Sequence, residues 1–208
     1  MIAWFIKGGP VMYPIALCSI IALAIIMERF YHLYRARINT DEFLKKITLL
    51  LKKGSIKEAI EVCENTPGPV AHILKAGILK HDKTKQEIKE TIEEAGSQET
   101  PRMEKNLGIL ATIAHISPLL GLLGTVTGMV RCFRTIEIQS IAGSPVNPGM
   151  LAAGIWEALT TTVAGLVVAI PTLVAYNYLV ALVDRMVLDM ERSSVELIRV
   201  VEEKEANL

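Results

Sequence analysis

Between Gly149 and Val183 the sequence carries a single charged side chain, Glu157. A carboxylate inside an apolar span costs roughly 2.5–3.5 kcal/mol on insertion scales, so acids there normally face a bundle interior or a wet cavity and serve a purpose. The chemistry that suits such an acid is uptake and release of a proton. The structural alternative is an acid near the interface that snorkels, or that pairs with an arginine across subunits. A Glu157 locked against an arginine, with no cavity beside it, would leave only a membrane protein of three passes.

Hydroxyls are the second group that could carry protons. If one apolar stretch ends near Phe133 and the next begins near Gly149, Thr125 and Glu157 lie at one depth, about 12 Å below the same surface. Thr160, Thr161 and Thr162 follow the acid along its helix. Thr161 is nearly aligned with Glu157 around an ideal helix, whereas Thr162 is about 140° away. The ordinary role for each is a hydrogen bond to a carbonyl one turn back. His115 lies about 27 Å below the outer end, where a snorkelling or hydrogen-bonded histidine is the default and a proton carrier the rival.

The helices that position these groups carry their own signals. Gly121, Gly124 and Gly128 form a close-packing face, the last two at the GxxxG spacing that lets backbones approach. Pro118 and Pro171 are expected to bend their helices. Charge is segregated: residues 8–27, 107–130 and 158–183 contain no Asp, Glu, Lys or Arg. The expected fold class is therefore an all-α membrane protein with three transmembrane helices, at 11–33, 107–133 and 149–183. Each exceeds the ~20 residues that cross a bilayer core. Trp4, Tyr13, Phe30, Tyr31 and Tyr34 near the ends of the first span fit interfacial aromatics. Ala22-Leu23-Ala24 imitates a signal-peptide cleavage site, but Arg29, Arg35 and Arg37 follow the apolar run, which fits an uncleaved anchor.

Of the 22 Lys and Arg, only Lys7, Arg131 and Arg134 fall outside the segments 29–105 and 185–208. The positive-inside rule then places residues 1–10 and the loop 134–148 outside, with 34–106 and 184–208 cytoplasmic. The cytoplasmic region reads as helical. Capping boxes are expected at Ser55–Glu58 and Thr84–Glu87, a helix from Thr40 to Lys53 ending at Gly54, and a break at Pro67-Gly68-Pro69. The second and third long helices should extend past the membrane, interrupted only by Pro101, Pro118 and Pro171. The last begins at an Asn147 N-cap before Pro148.

Other function classes lack their signatures. A net charge of +0 and 5% aromatics give no basic stripe for nucleic acid. Cys18, Cys63 and Cys132 lack CxxC spacing, and the histidines lack metal-ligand spacing, so neither a metal nor another cofactor is called for. There is no phosphate-cradling loop, no GxSxG and no pair of intramembrane acids, so an enzyme is not expected.

The run Gly121-Leu-Leu-Gly124-Thr125-Val-Thr-Gly128, then Pro148-Gly149, then Gly154-Ile-Trp-Glu157-Ala-Leu-Thr-Thr-Thr162-Val-Ala-Gly165 through Pro171 resembles the MotA/TolQ/ExbB proton-channel family. The ExbB and TolQ branch is nearest, although Trp156 and Thr127 depart from its commonest residues. The resemblance implies a pentameric homo-oligomer in a bacterial inner membrane, its second and third spans lining a pore. It also implies a single-span partner of ExbD or TolR type and a TonB-like or TolA-like protein driven by proton flow. By motif, Glu157 is the family acid, Thr125 the second-span hydroxyl and Thr162 the third-span hydroxyl, with Thr161 kept as a rival. An envelope-integrity subunit of TolQ type and a non-conducting scaffold for the partner are the alternatives. A flagellar-type stator is disfavoured, since that branch has four spans.

Overall fold

A computed structural model describes residues 8–141, 145 and 148–205. Trp4, Lys7 and the N-cap expected at Asn147 lie outside the described residues. Apart from turns and short connections, the described residues are helical: α1 Met12–Ala36, α2 Thr40–Lys52, α3 Ile56–Glu64, α4 Pro69–Ile78, α5 Lys85–Glu104, α6 Leu107–Ile141 and α7 Pro148–Glu205. Three stretches, starting with α1, α5 and α7, are long and apolar enough to cross a membrane. The chain divides into two compact units, Met1–Met27 with Asn106–Asn177, and Glu28–Lys105 with Tyr178–Leu208.

The second unit has an interior of the soluble kind. On α2 the buried residues are Phe43, Ile47 and Leu51, one per helical turn. Val70, Ile73, Leu74 and Ile78 of α4 and Ile88 and Ile92 of α5 are buried with them. The later half of α7 contributes Leu179, Leu182, Met186, Met190, Ser193, Leu197 and Val200. Their steps of three or four residues make a coiled-coil-like seam. Gly77 sits where three helices converge, for a Cβ there would meet Ile92 and Leu197 at 2.8 Å. Arg29, 5% exposed, donates from Nη1 to the Arg102 carbonyl at 3.2 Å and pairs with Glu28, tying α1 to the end of α5.

Local signals mostly act as their chemistry dictates. The Thr84 box forms: the Glu87 N–H donates to Thr84 Oγ1 at 3.3 Å, and the Thr84 N–H to Glu87 Oε2 at 3.0 Å. The Thr84 hydroxyl, donating to Glu87 Oε2 at 2.8 Å, and then the Thr84 N–H hold the Glu87 carboxyl below its ordinary range. The Ser55 box does not form. Gly54, at φ 79°, closes α2 with its N–H on the Leu51 carbonyl, and the Ser55 N–H donates to Leu50 O at 3.0 Å. This is a Schellman C-cap. It fixes Ser55 at ψ 63°, so its hydroxyl makes no capping bond to α3. Pro101 does not interrupt α5; the break falls at Asn106, whose φ of 64° separates α5 from α6. Pro118 and Pro171 lie inside α6 and α7. The second apolar helix runs to Ile141, well past Phe133.

Candidate functional site

The first unit is organised by small residues on two antiparallel helices. A Cβ on Gly128 would sit 3.1 Å from Ala158 Cβ, and one on Gly154 would sit 2.9 Å from Cys132 Cβ. Gly124 lies against the Thr161 side chain, and a Cβ on Gly121 would fall 3.0 Å from Thr162 Cα. Gly165 faces the Ser117 carbonyl and the Gly121 backbone. Gly121, Gly124, Gly128 and Cys132 on α6 thus meet Gly154, Ala158, Thr161 and Gly165 on α7. Cys132 has a structural place here, buried against Gly154 with its thiol 3.8 Å from the Leu151 carbonyl.

This register corrects the depth expected for Thr125. Gly128 opposite Ala158 puts Thr125 level with Thr161, and Glu157 level with Met129. The two functional candidates are therefore offset by four residues, about 6 Å along the axis. The error came from counting inward from the loop. Register is set where backbones touch, and the helix ends later than the apolar run suggests.

Glu157 lies at this helix contact with its side chain 22% exposed. Its Oε1 accepts from Arg131 Nη2 at 3.0 Å, and the Arg131 side chain is 50% exposed. Gly9, in left-handed backbone at φ 69°, also lies against the carboxylate: a Cβ there would fall onto Glu157 Oε1. The arginine pairing named above as the alternative is present, but with an arginine of the same chain and not of another subunit. In the sequence Arg131 counts only as one of three cations outside the basic segments. Aligning the small-residue stripes of α6 and α7 would have brought it to Glu157.

The hydroxyls divide by role. Thr160 donates to the Trp156 carbonyl at 2.7 Å, and Thr161, 1% exposed, donates to the Ala158 carbonyl at 2.7 Å. Thr162 instead reaches across to α6 and donates to the Gly121 carbonyl at 3.1 Å. Thr125 donates to Leu122 O, 2.7 Å away within its own helix. Thr125, Thr161 and Thr162 all donate to backbone carbonyls and not to the Glu157 carboxylate, so the structure does not gather the expected hydroxyls around the acid. His115 Nδ1 is 2.7 Å from the Ala111 carbonyl, the default role for an interfacial histidine. Among the described residues, no group of three His, Cys, Asp or Glu side chains is placed to hold a metal.

Comparison with known proteins places these elements. A family model described as the MotA/TolQ/ExbB proton channel family matches residues 65–192, which include both Arg131 and Glu157. The ExbB-like 1 biopolymer transport protein of Synechocystis sp. is 35% identical over 179 residues, 86% of this chain and 70% of that protein. Biopolymer transport protein ExbB of Pseudomonas putida is 34% identical over 80% of this chain, which spans only 51% of that longer protein. The Tol-Pal system protein TolQ of Pseudomonas aeruginosa is 26% identical over 80% of this chain and 75% of its own length.

Proposed function

Because this chain belongs to the MotA/TolQ/ExbB proton channel family, we propose that it is the channel subunit of an inner-membrane complex that turns proton-motive force into work directed at the outer membrane. We take an ExbB-type role first with a TolQ-type role as its alternative, for identity does not separate them: ExbB-named relatives range from 27% to 35% over most of this chain, and a TolQ stands at 26%. In this reading the chain forms a homo-oligomer around a single-span partner of ExbD type, and a TonB-like protein takes up the motion. The loop between α6 and α7 faces the periplasm, and the second unit lies in the cytoplasm.

Glu157 is the proton-binding group, and Arg131 its resting counter-ion. What carries this reading is the family match together with an acid in an apolar helix; the Arg131 pair is the arrangement that tells against conduction unless it opens. The acid lies partly buried at a glycine-lined helix contact, while its cation is half exposed and free to turn outward. Protonation neutralises the carboxylate and removes the attraction that holds the guanidinium. One proton crossing 100 mV supplies about 2.3 kcal/mol, so a sizeable conformational step needs several. The same ion pair also favours a second reading, a scaffold in which Glu157 only anchors α7 to α6.

Proton flux into liposomes holding this chain with an ExbD-type partner separates the two. Channel function predicts that Glu157→Gln assembles normally and conducts nothing, while Arg131→Gln, which keeps the acid, still conducts. Flux unchanged by Glu157→Gln refutes the channel role and leaves the scaffold.

A further inference from the structure

In the second unit, α1 and α7 reach their aromatic level together. Phe30 stacks on Tyr178 with ring centroids 6.3 Å apart, and on Tyr34 at 6.0 Å. Tyr31, Tyr34 and Tyr178 are exposed, as rings at a membrane–water interface are. Arg185 stands seven residues beyond Tyr178, about 10 Å further along α7, and Arg37 lies just past the end of α1. The headgroup layer outside the core is about 5–7 Å thick, so a guanidinium at this height meets phosphate by reaching back along its flexible stem.

A cavity of about 200 Å³ runs outward from this level, with Arg37, Thr40, Asp41 and Arg185 on its wall and Asp189 and Arg192 one and two turns further along α7. Asp189 Oδ2 accepts from the Thr40 hydroxyl at 3.4 Å. Among the described residues, no ion pair joins the three guanidiniums to the two carboxylates. The wall also includes Thr40 and Asp41 in the first turn of α2, where Asn39 caps the Glu42 N–H. Three cations against two carboxylates leave one net positive charge. The matching ligand carries one negative charge together with hydrogen-bond donors for the acids.

We propose that this cavity binds the headgroup of a phosphatidylglycerol-type phospholipid. The phosphodiester takes the arginines, the glycerol hydroxyls donate to Asp41 and Asp189, and the acyl chains run along the exposed faces of Phe30, Tyr34 and Tyr178. Basic pockets between membrane helices on the cytoplasmic side recognise anionic headgroups in this way. The proposal rests on the reading of α1 and α7 as membrane helices with this end cytoplasmic, and not on proton conduction.

The test is delipidated full-length chain in neutral detergent, titrated with phosphatidylglycerol, phosphatidylethanolamine, phosphatidylcholine or inorganic phosphate, with retained lipid read by native mass spectrometry. Phosphatidylglycerol should bind selectively, and the triple variant Arg37→Gln, Arg185→Gln, Arg192→Gln should bind it about tenfold or more weakly. Arg134→Gln, outside the cavity, should bind as the parent does. Arg185→Lys, which keeps the charge, should retain most of the affinity and guards against loss through misfolding. Equal retention by the triple variant, or equal binding of phosphatidylethanolamine, overturns the proposal. Competition by inorganic phosphate at matched concentration also overturns it, leaving a site for a free anion. Glu157→Gln should keep full lipid binding whatever it does to flux, so this proposal and the channel reading fail separately.

Discussion

Where two helices meet in the first unit, the contact is glycine against backbone: Gly165 on Ser117 and Gly121, Gly121 on Thr162, Gly128 on Ala158. Where helices meet in the second, large side chains fill the space, with Ile47, Ile73, Leu74, Ile78 and Ile88 each at 1% exposure or less. The outer surfaces invert this pattern. In the first unit Leu119, Leu122, Val126, Phe133, Val163 and Ile170 are all exposed, whereas α5 in the second shows mostly Lys, Glu and Gln. The difference follows from solvent. Water drives large apolar groups inward. Lipid gives them no reason to leave the surface, so helices there associate by close backbone approach.

The sharpest way to break this comparison is to remove volume from one unit and add it to the other. Leu74→Ala deletes a side chain with 0% exposure from the second unit and should cost about 2–5 kcal/mol, as buried leucine truncations do. Hydrogen exchange on detergent-solubilised chain should show the loss of protection in α4 and α5. Uniform loss across both units, or none, would contradict a separate water-driven core.

The reverse experiment adds a methyl group to the glycine contact. Gly165→Ala puts its new carbon against the Ser117 carbonyl and 3.2 Å from Gly121 Cα, all backbone with no rotamer to yield. Overpacking of this kind costs about 1–3 kcal/mol. The matched control is Gly108→Ala on α6, where nothing lies within 4 Å. It should be neutral or raise stability by about 0.5–1 kcal/mol through helix propensity. A thermal midpoint for Gly165→Ala at or above that of Gly108→Ala would show that glycine spacing does not set the α6–α7 contact.

The residues that were legible in sequence are those whose signal is local. The all-helical class and three apolar helices followed from segregated charge, and Thr84 and Gly54 from capping and C-cap chemistry. The misread positions depended on partners elsewhere. Ser55 has the right spacing for a capping box, but its backbone is already committed to closing α2. Asn106 ends α5 in left-handed backbone without a glycine to announce it. Arg131 sits far in sequence from Glu157, and the two meet only through a register that neither residue encodes. Glu157 was found because an acid in an apolar run is costly wherever its partner lies; the partner itself needed the fold.

The smallest expected effect concerns Cys63, which reports how dry the second unit is. The thiol is 1% exposed on α3, and its pKa is pushed up to about 11, first by burial, against the pull of Lys75 and with a small push from Glu64. A folded pKa above the unfolded value of 9.0 means the folded state holds the proton more tightly. The resulting stabilisation is complete below pH 9.0 and is lost as pH rises through about 11. Compared with Cys63→Ala, the parent should therefore keep a constant stability difference at neutral pH and lose part of it across that window. Because the thiolate is the reactive form, Cys63 should also resist iodoacetamide at pH near 8 and react once the chain is unfolded, read by peptide mapping of that cysteine alone. Native-state alkylation of Cys63 at the rate of a free thiol would mean that water enters between α3 and α4. The contrast between a water-driven core and a lipid-facing glycine contact would then no longer describe this chain.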